Sequence, residues 1–559
     1  MTQKRKIYLG LMFAVVLLIS LIPVFHVGNL AGDSWKGIVP EYIEDSSYYY
    51  ARLETIVQGH PFIGNPYFIE HKESISPAFF VSDWIASIPL VLGLPFVFGV
   101  VFNIIFWSEV FVLILYFLFN RLGCGEKESA IFSILTYLQV FWLFVRPVVM
   151  QVVFPGFGLF LLALFLWLRD KENPKIRVFL ILASLYSIYS YTYLLQIVVF
   201  TLGIVFLEFL ISKKYDSLGK LSKILFIIFI LSIPLFIISY LQISNPLYPE
   251  TINRIGLLGT HIPRMDFIYY GRWVVLVLLL WFLSRKWILS FKSHEANQVY
   301  NFILITGLGI LIASGSNIIT GKELELSNHI GRFIIWWFPV VFFVYLSRFI
   351  QHYRTEIFSL NIWKKVSLFL IMLICVVGML RNIPRAFPFF KVNKASVVNI
   401  QNYAGPVNWL KENTNESVIW ASIEFSGYIP IYTNDYVLFH PSAVLQLVSD
   451  VEMEVRYLVW SFLSGGPTRL GIEKDVGAYG GAGKALKGPE MQAHFDLMYD
   501  VYQTKIKPNI DQFLTLFQAE YIVIDLSDTT QMTEVKKLSL QEVYNDGHFV
   551  IYKILKPTP

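Results

Sequence analysis

Phe96 to Asn120 reads FVFGVVFNIIFWSEVFVLILYFLFN, an apolar run interrupted by the single acid Glu109. A helix of this length rises about 1.5 Å per residue and crosses a hydrocarbon core of about 30 Å, so the natural solvent of this stretch is lipid. Similar runs recur to either side, at 7 to 27, 128 to 146, 151 to 168, 178 to 191, 194 to 212, 221 to 243, 270 to 285, 300 to 316, 332 to 350 and 366 to 382. With 96 to 120 they predict a polytopic α-helical membrane protein of about 11 spans. The composition agrees: 55% of the 559 residues are hydrophobic and 15% are charged, against about a quarter charged in soluble proteins. The fifth and sixth runs are joined so tightly through YSYTYLLQ that a re-entrant pair is an alternative reading of them.

From Lys391 onward the sequence becomes ordinary mixed polar sequence. AGPVNWLKENT has apolar residues at helical spacing, whereas SVIWASI and AEYIVIDLS read as buried strands and HFVIYKIL as a closing edge strand. The chain is therefore expected to divide into a membrane domain, 1–390, with a long outer loop at about 28–95, and a small α/β domain, 391–559.

Cations set the expected orientation. Lys4, Arg5 and Lys6 precede the first run, and every second connection after it is basic, for example Arg169/Lys171/Lys175/Arg177 and Arg285/Lys286/Lys292. By the positive-inside rule the N-terminus is cytoplasmic, and an odd number of spans places the C-terminal domain outside a plasma (inner) membrane. Pro23, Phe25 and His26 offer no small-residue cleavage site, so the first run reads as an anchor. The two cysteines, Cys124 and Cys375, fall in a turn and a span, which leaves the outer domain without a disulfide. The net charge of +5 resides mainly between spans and gives no reason to expect a nucleic-acid partner.

Ionisable groups near a membrane are costly unless paired or hydrated, and the densest set falls in outer loops. The first loop contains EYIEDSSYYYARLETIVQGHPFIGNPYFIEH, in which Glu44 and Asp45 precede a stretch, Ser46 to Gln58, that reads as a helix stopped by Gly59. Asp45 either caps that helix, a role worth about 1 kcal/mol, or acts chemically, and the two are compatible. Farther along the same loop, SPAFFVSDWIASIPLVLG is apolar but broken by Asp83, Trp84 and Pro89, and reads as an interfacial helix.

The motif EDSSYYYARL...GH...NPY resembles the acidic motif of the GT-C superfamily, the membrane glycosyltransferases that use lipid-phosphate-linked sugars. Its shape is similar to that of the oligosaccharyltransferase catalytic subunit, and SNIITGKELELSNHIGRF and AGPVNWLKENT...GYIPIYT resemble further segments of bacterial members. The resemblance implies an inverting glycosyltransferase that moves a sugar from a polyprenyl-phosphate-linked donor to a protein, lipid or glycan acceptor at the outer face. Asp45 matches the family's carboxylate and Glu44 is its neighbour. A carboxylate suits the task by taking the acceptor's proton, and positioned bases contribute about 10² to 10⁴ in rate.

A phosphate leaving group needs cations where its charge develops. Arg332, His329 and Lys322 in the third long loop, Arg254, Arg264 and Arg272 around the second, Arg146 in a short turn and Arg52 in the first loop are the candidates, arginine because its planar fork matches phosphate. Basic residues at span ends also snorkel to headgroups with no specific role. Tyr48, Tyr49, Tyr191 and Tyr193 are candidates to line the acceptor or sugar site, although tyrosines also populate bilayer interfaces by default. A divalent ion (Mg or Mn) would find hard or imidazole ligands in Asp45, Glu70 and His71, but their spacing matches no defined metal motif, and RPVVMQ lacks the second acid that the oligosaccharyltransferase pattern expects. GAYGGAGKA, 477–485, departs from a phosphate-binding loop at Ala485 and reads as a flexible loop. Two other classes compete with transfer. A transporter or flippase of a lipid-linked glycan would carry its functional acids deep in the spans, where only Glu109 offers itself, and a non-catalytic assembly protein would need no chemistry at Asp45.

Overall fold

The computed structural model describes residues 3–42, 45–146, 149–257, 259–287, 294–323, 326–353, 376–381, 387–484 and 489–555, with the single positions 362, 366 and 373. The chain is mostly helical and divides into two compact units, one of residues 1–26, 100–236 and 259–392, the other of 27–99, 237–258 and 393–559.

Among the described residues the chain has six helices long and apolar enough to cross a membrane, or seven with the bent pair Tyr215–Leu231 and Ile233–Ile243 taken as one span. This is a multi-pass membrane protein. The expected span at 128 to 146 is two helices, Glu126–Leu138 and Phe141–Val145, because the chain leaves helical geometry at Val140 (φ −124°, ψ 3°). The tight pair is two full helices, Pro174–Ser190 and Thr192–Ile211, separated only by Tyr191 in extended conformation. The second of them, at 20 residues, is about 30 Å long. The expected last span, 366 to 382, lies largely outside the described residues, as does Cys375.

Lipid tails supply no hydrophobic drive between helices, so close backbone approach and buried polar contacts carry the packing. Gly156 allows it between Val149–Arg169 and Pro174–Ser190: a Cβ there would stand 2.6 Å from the Tyr186 ring. Ser187 crosses the same seam and donates to the Gly156 carbonyl at 3.0 Å. Gly309 lets His294–Ser314 lie against Thr201 of Thr192–Ile211. Between these seams Phe111, Phe154, Phe157, Phe333 and Trp336 meet mainly edge to face, the arrangement that aromatic quadrupoles favour.

The second unit holds a five-stranded sheet in the order β2-β1-β3-β5-β4. The strands are β1 (Val418–Trp420), β2 (Tyr436–Val437), β3 (Ala519–Asp525), β4 (Leu540–Asn545) and β5 (Phe549–Ile554). β1 runs parallel to β2 and β3, and β5 is antiparallel to β3 and β4. β5, expected at the edge, is therefore internal. The edge belongs to β4, whose LQEVYN is too polar to announce a strand, and the Asn545–Gly547 turn folds it back: Asp546 Oδ1 accepts from the amides of His548 and Phe549, and Gly547 takes φ +85°. AGPVNWLKEN forms the expected helix, Ala404–Asn413.

Two segments distant in sequence complete this unit. The 27–99 stretch contributes the helices Ser46–Val57 and Val81–Val91, and 237–258 contributes Tyr248–Ile255. The glycine-rich 477–485 stretch serves this packing. Val476–Lys484 is helical apart from Gly481, at φ +65°. A Cβ on Gly481 would stand 2.5 Å from the Arg254 carbonyl oxygen, and one on Gly483 would stand 1.6 Å from that of Asn253. These glycines approach the Tyr248–Ile255 backbone, which corrects the reading of a flexible loop.

Candidate functional site

Asp45 opens the helix Ser46–Val57 from the left-handed region, φ 71° and ψ 6°, a conformation that costs most L-residues about 1–2 kcal/mol and is least unfavourable for Asn and Asp. Its side chain makes no capping bond to the helix. The cap comes from Glu41, whose Oε1 accepts from the Ser47 amide at 3.1 Å. Asp45 is exposed at the positively polarised N-terminus of that helix. Glu44 lies outside the described residues.

The next turn of the helix is built for rigidity. Tyr48 and Tyr49 meet edge to face with centroids 5.1 Å apart. Tyr48 is buried, and burial, opposed by the charge of Arg52, pushes its phenol up to about 12; its hydroxyl accepts from Arg52 and from Gln446. Arg52 is buried too, with both of its outer nitrogens and Nε committed. Nε and Nη2 grip the Asp83 carboxylate at 2.9 Å each, Nη1 reaches Tyr48 and Ser76, and Nη2 also meets the Phe79 carbonyl. A guanidinium has five N–H bonds, and these five contacts use them all. A donor phosphate there would have to displace these partners, through which Arg52 fastens Ser46–Val57 to Val81–Val91. Asp83, noted in the sequence only as a break in an apolar run, is the buried counter-ion that makes this possible.

Glu70 and His71 are held in a second network. Arg456, 1% exposed at its side chain, reaches Glu70 Oε2 at 2.6 Å, Glu452 Oε1 at 2.9 Å and the Leu438 carbonyl at 3.1 Å. Its guanidinium lies between the rings of Phe68 and Phe517, 4.1 and 4.3 Å from their centroids. His71 Nε2 is 2.8 Å from Glu452 Oε2. Burial alone would raise the Glu452 carboxyl, but the hydrogen bond to His71 and the charge of Arg456 outweigh it and hold the group below its ordinary range. Among the described residues no three metal-ligating side chains gather. A cation bound to Glu70 would also have to displace the Arg456 guanidinium, so Asp45, Glu70 and His71 do not fit as a metal site.

Arg254 is similarly spent. It is buried, meets the carbonyls of Val444, Gln446 and Val448, and pairs with Asp450 at 2.6 Å.

In the first unit the structure brings Tyr191, Tyr193 and His329 together. Tyr191 and Tyr193 meet edge to face at 4.5 Å, and the Tyr193 ring lies 5.2 Å from that of His329. His329 lies in the helix Leu326–Tyr353 and Arg332 follows it by three residues, on the same face; both are partly exposed. Lys322 is exposed in the loop before that helix. Arg272 is exposed with its guanidinium 4.1 Å from the Tyr269 ring centroid. Arg146 is buried at the end of the short helix Phe141–Val145. Arg264 makes a bidentate ion pair with the buried Glu323. A donor phosphate at Arg264 would have to displace this carboxylate. The acid was in plain sight in GKELEL, but nothing in the sequence assigned it to a cation 59 positions earlier.

No protein-family model matches the chain, and no curated protein sequence does. Among solved structures the chain is similar over 98% of its length, at 11% identity and TM-score 0.49, to ArnT from Cupriavidus metallidurans bound to undecaprenyl phosphate, itself covered over 98%. The apo form of that protein gives 10% identity, 97% coverage of both chains and a TM-score of 0.48. The chain is also similar over its whole length, at 10% identity and TM-score 0.43, to 75% of the archaeal oligosaccharyltransferase AglB from Archaeoglobus fulgidus, in complex with an inhibitory peptide and a dolichol-phosphate. These likenesses concern the course of the chain and assign no residue a role.

Proposed function

We propose that this protein is an inverting glycosyltransferase that moves a sugar from a polyprenyl-phosphate-linked donor to an acceptor at the outer face of the plasma (inner) membrane. The observation that carries the reading is the state of Asp45: an exposed carboxylate in a left-handed turn, with the capping of its helix taken over by Glu41. Residues held in sparsely populated backbone regions cluster at functional sites. The motif around Asp45 and the apolar helices of the chain support the same reading.

In this reading Asp45 accepts the proton of the acceptor's nucleophile as that atom attacks the anomeric carbon. The bond from the anomeric carbon to the phosphate oxygen breaks, its electron pair leaves with the polyprenyl phosphate, and a single displacement inverts the anomeric centre. Arg332, His329, Lys322, Arg272 and Arg146 are the candidate cations for the departing phosphate. Tyr191 and Tyr193 line the sugar beside His329, while Tyr48 acts by holding Arg52. The basic connections support a cytoplasmic N-terminus, and an odd number of spans then leaves residues 391–559 outside.

Membranes containing wild type or Asp45→Asn, supplied with radiolabelled polyprenyl-phosphate sugars, test this. Incorporation into acceptor by wild type, with a loss of at least a hundredfold in the variant, is the expected result. Equal incorporation by both removes the role of Asp45, and no incorporation with any donor favours transport.

A further inference from the structure

The second unit contains a pocket of about 350 Å³ that the transfer reading does not use, within the range of about 300 to 1,000 Å³ typical of small-molecule sites. Its floor is the C-terminal half of Ser46–Val57, so Glu54 lines it nine residues, or about 14 Å along the axis, beyond Asp45. Lys411, from the end of Ala404–Asn413, and Asn415 and Asn434 line it with Glu54. Leu94 and Phe96 form an apolar wall.

Three features define what would fit. The amides brace one another, Asn434 Nδ2 donating to Asn415 Oδ1 at 3.3 Å, which leaves the Asn415 amino group as a donor and the Asn434 carbonyl as an acceptor. Glu54 is the one acid and Lys411 the one base of the lining, so no cluster of like charge selects an anion or a cation. Burial pushes the Glu54 carboxyl up to about 7 against the pull of Lys411, which makes the group both a donor and an acceptor near neutral pH. The polar lining, without a cluster of like charge and set against Leu94 and Phe96, matches a molecule with many hydroxyls on its rim and C–H bonds on its face.

We propose that this pocket binds a neutral saccharide ring, its hydroxyls on Glu54, Asn415 and Asn434 and its apolar face toward the exposed Leu94. The inference rests on the pocket alone and stands or falls independently of sugar transfer at Asp45.

The test is ligand-observed saturation-transfer NMR on the full chain in lipid nanodiscs, with the methyl glycosides of glucose, galactose and N-acetylglucosamine as probes. At least one probe should bind saturably with millimolar affinity. Binding should weaken tenfold or more in both Leu94→Trp, which fills the pocket, and Asn434→Ala, which removes an amide. Both positions are exposed, so neither change opens the core. Absence of saturable binding by all three probes, or binding indifferent to both substitutions, overturns the proposal.

Discussion

Replacing Arg456 should loosen the attachment of the 60–75 segment within the second unit, and the structure sets the size of the effect. The guanidinium is 1% exposed, touches two carboxylates and one carbonyl, and lies between two phenyl rings. Arg456→Met preserves much of the volume but leaves Glu70 and Glu452 without their cation. Breaking a fully buried pair from one side costs about 3–5 kcal/mol. Glu70 and Glu452 retain 29% and 22% exposure, so water recovers part of that and about 3 kcal/mol is expected. Arg456→Lys keeps the charge but loses the fork, which cannot be replaced at both carboxylates by one ammonium, and should cost about half as much. Hydrogen exchange of the full-length protein reads this locally, because segments open with their own free energies. Peptides covering 62–76 and 436–460 should exchange about a hundredfold faster in Arg456→Met, since 1.4 kcal/mol is a factor of about ten. Unchanged protection in both segments would refute the view that Arg456 fastens them.

Glu54→Gln should stabilise the protein in alkaline but not acidic buffer. The folded-state pKa of about 7 lies above the ordinary 4.5, so the folded state binds the proton more tightly and loses stability as pH rises from about 4.5 through 7. The variant's gain in a thermal melt should be absent at pH 4.5 and amount to on the order of 2 kcal/mol at pH 8, the full shift being discounted for hydration through the pocket mouth; a gain independent of pH would contradict it. Glu452 acts with the opposite sign. Its carboxyl is held below the ordinary value, so its contribution is present above about pH 4.5 and lost as pH falls through the folded-state value; Glu452→Gln should flatten the acid side of the melting profile. Gly483→Ala forces a Cβ onto the Asn253 carbonyl and should destabilise by about 1–3 kcal/mol, read as faster exchange across 248–256, whereas Gly477→Ala, with open space around it, should be neutral.

What the sequence disclosed and what it withheld follow from the range of the interactions. Apolar runs, the helix from Ser46 and the strands in SVIWASI and AEYIVIDLS depend on near neighbours and were legible. The place of β5 was not, because its second partner, LQEVYN, lacks a strand's apolar alternation and is identified only by pairing. Arg52 and Arg264 were read as available cations because a sequence exhibits charges without their partners. Asp83 carried a usable signal, an acid inside an apolar helix that must find a cation, whereas Glu323 looked like one more loop acid. Glu41 taking over the cap from Asp45 needed the left-handed turn, which no residue pattern announced.

The central claim is that Asp45 serves the transfer of a sugar from a lipid phosphate. Its most direct test is to incubate the purified chain in nanodiscs with a polyprenyl-phosphate sugar and acceptor, and measure polyprenyl phosphate released against glycosylated product formed. The account predicts one phosphate released per product, with the product's anomeric configuration inverted, and neither signal above background in Asp45→Asn. Release and product at wild-type rates in Asp45→Asn, or product that retains the donor's configuration, would contradict it.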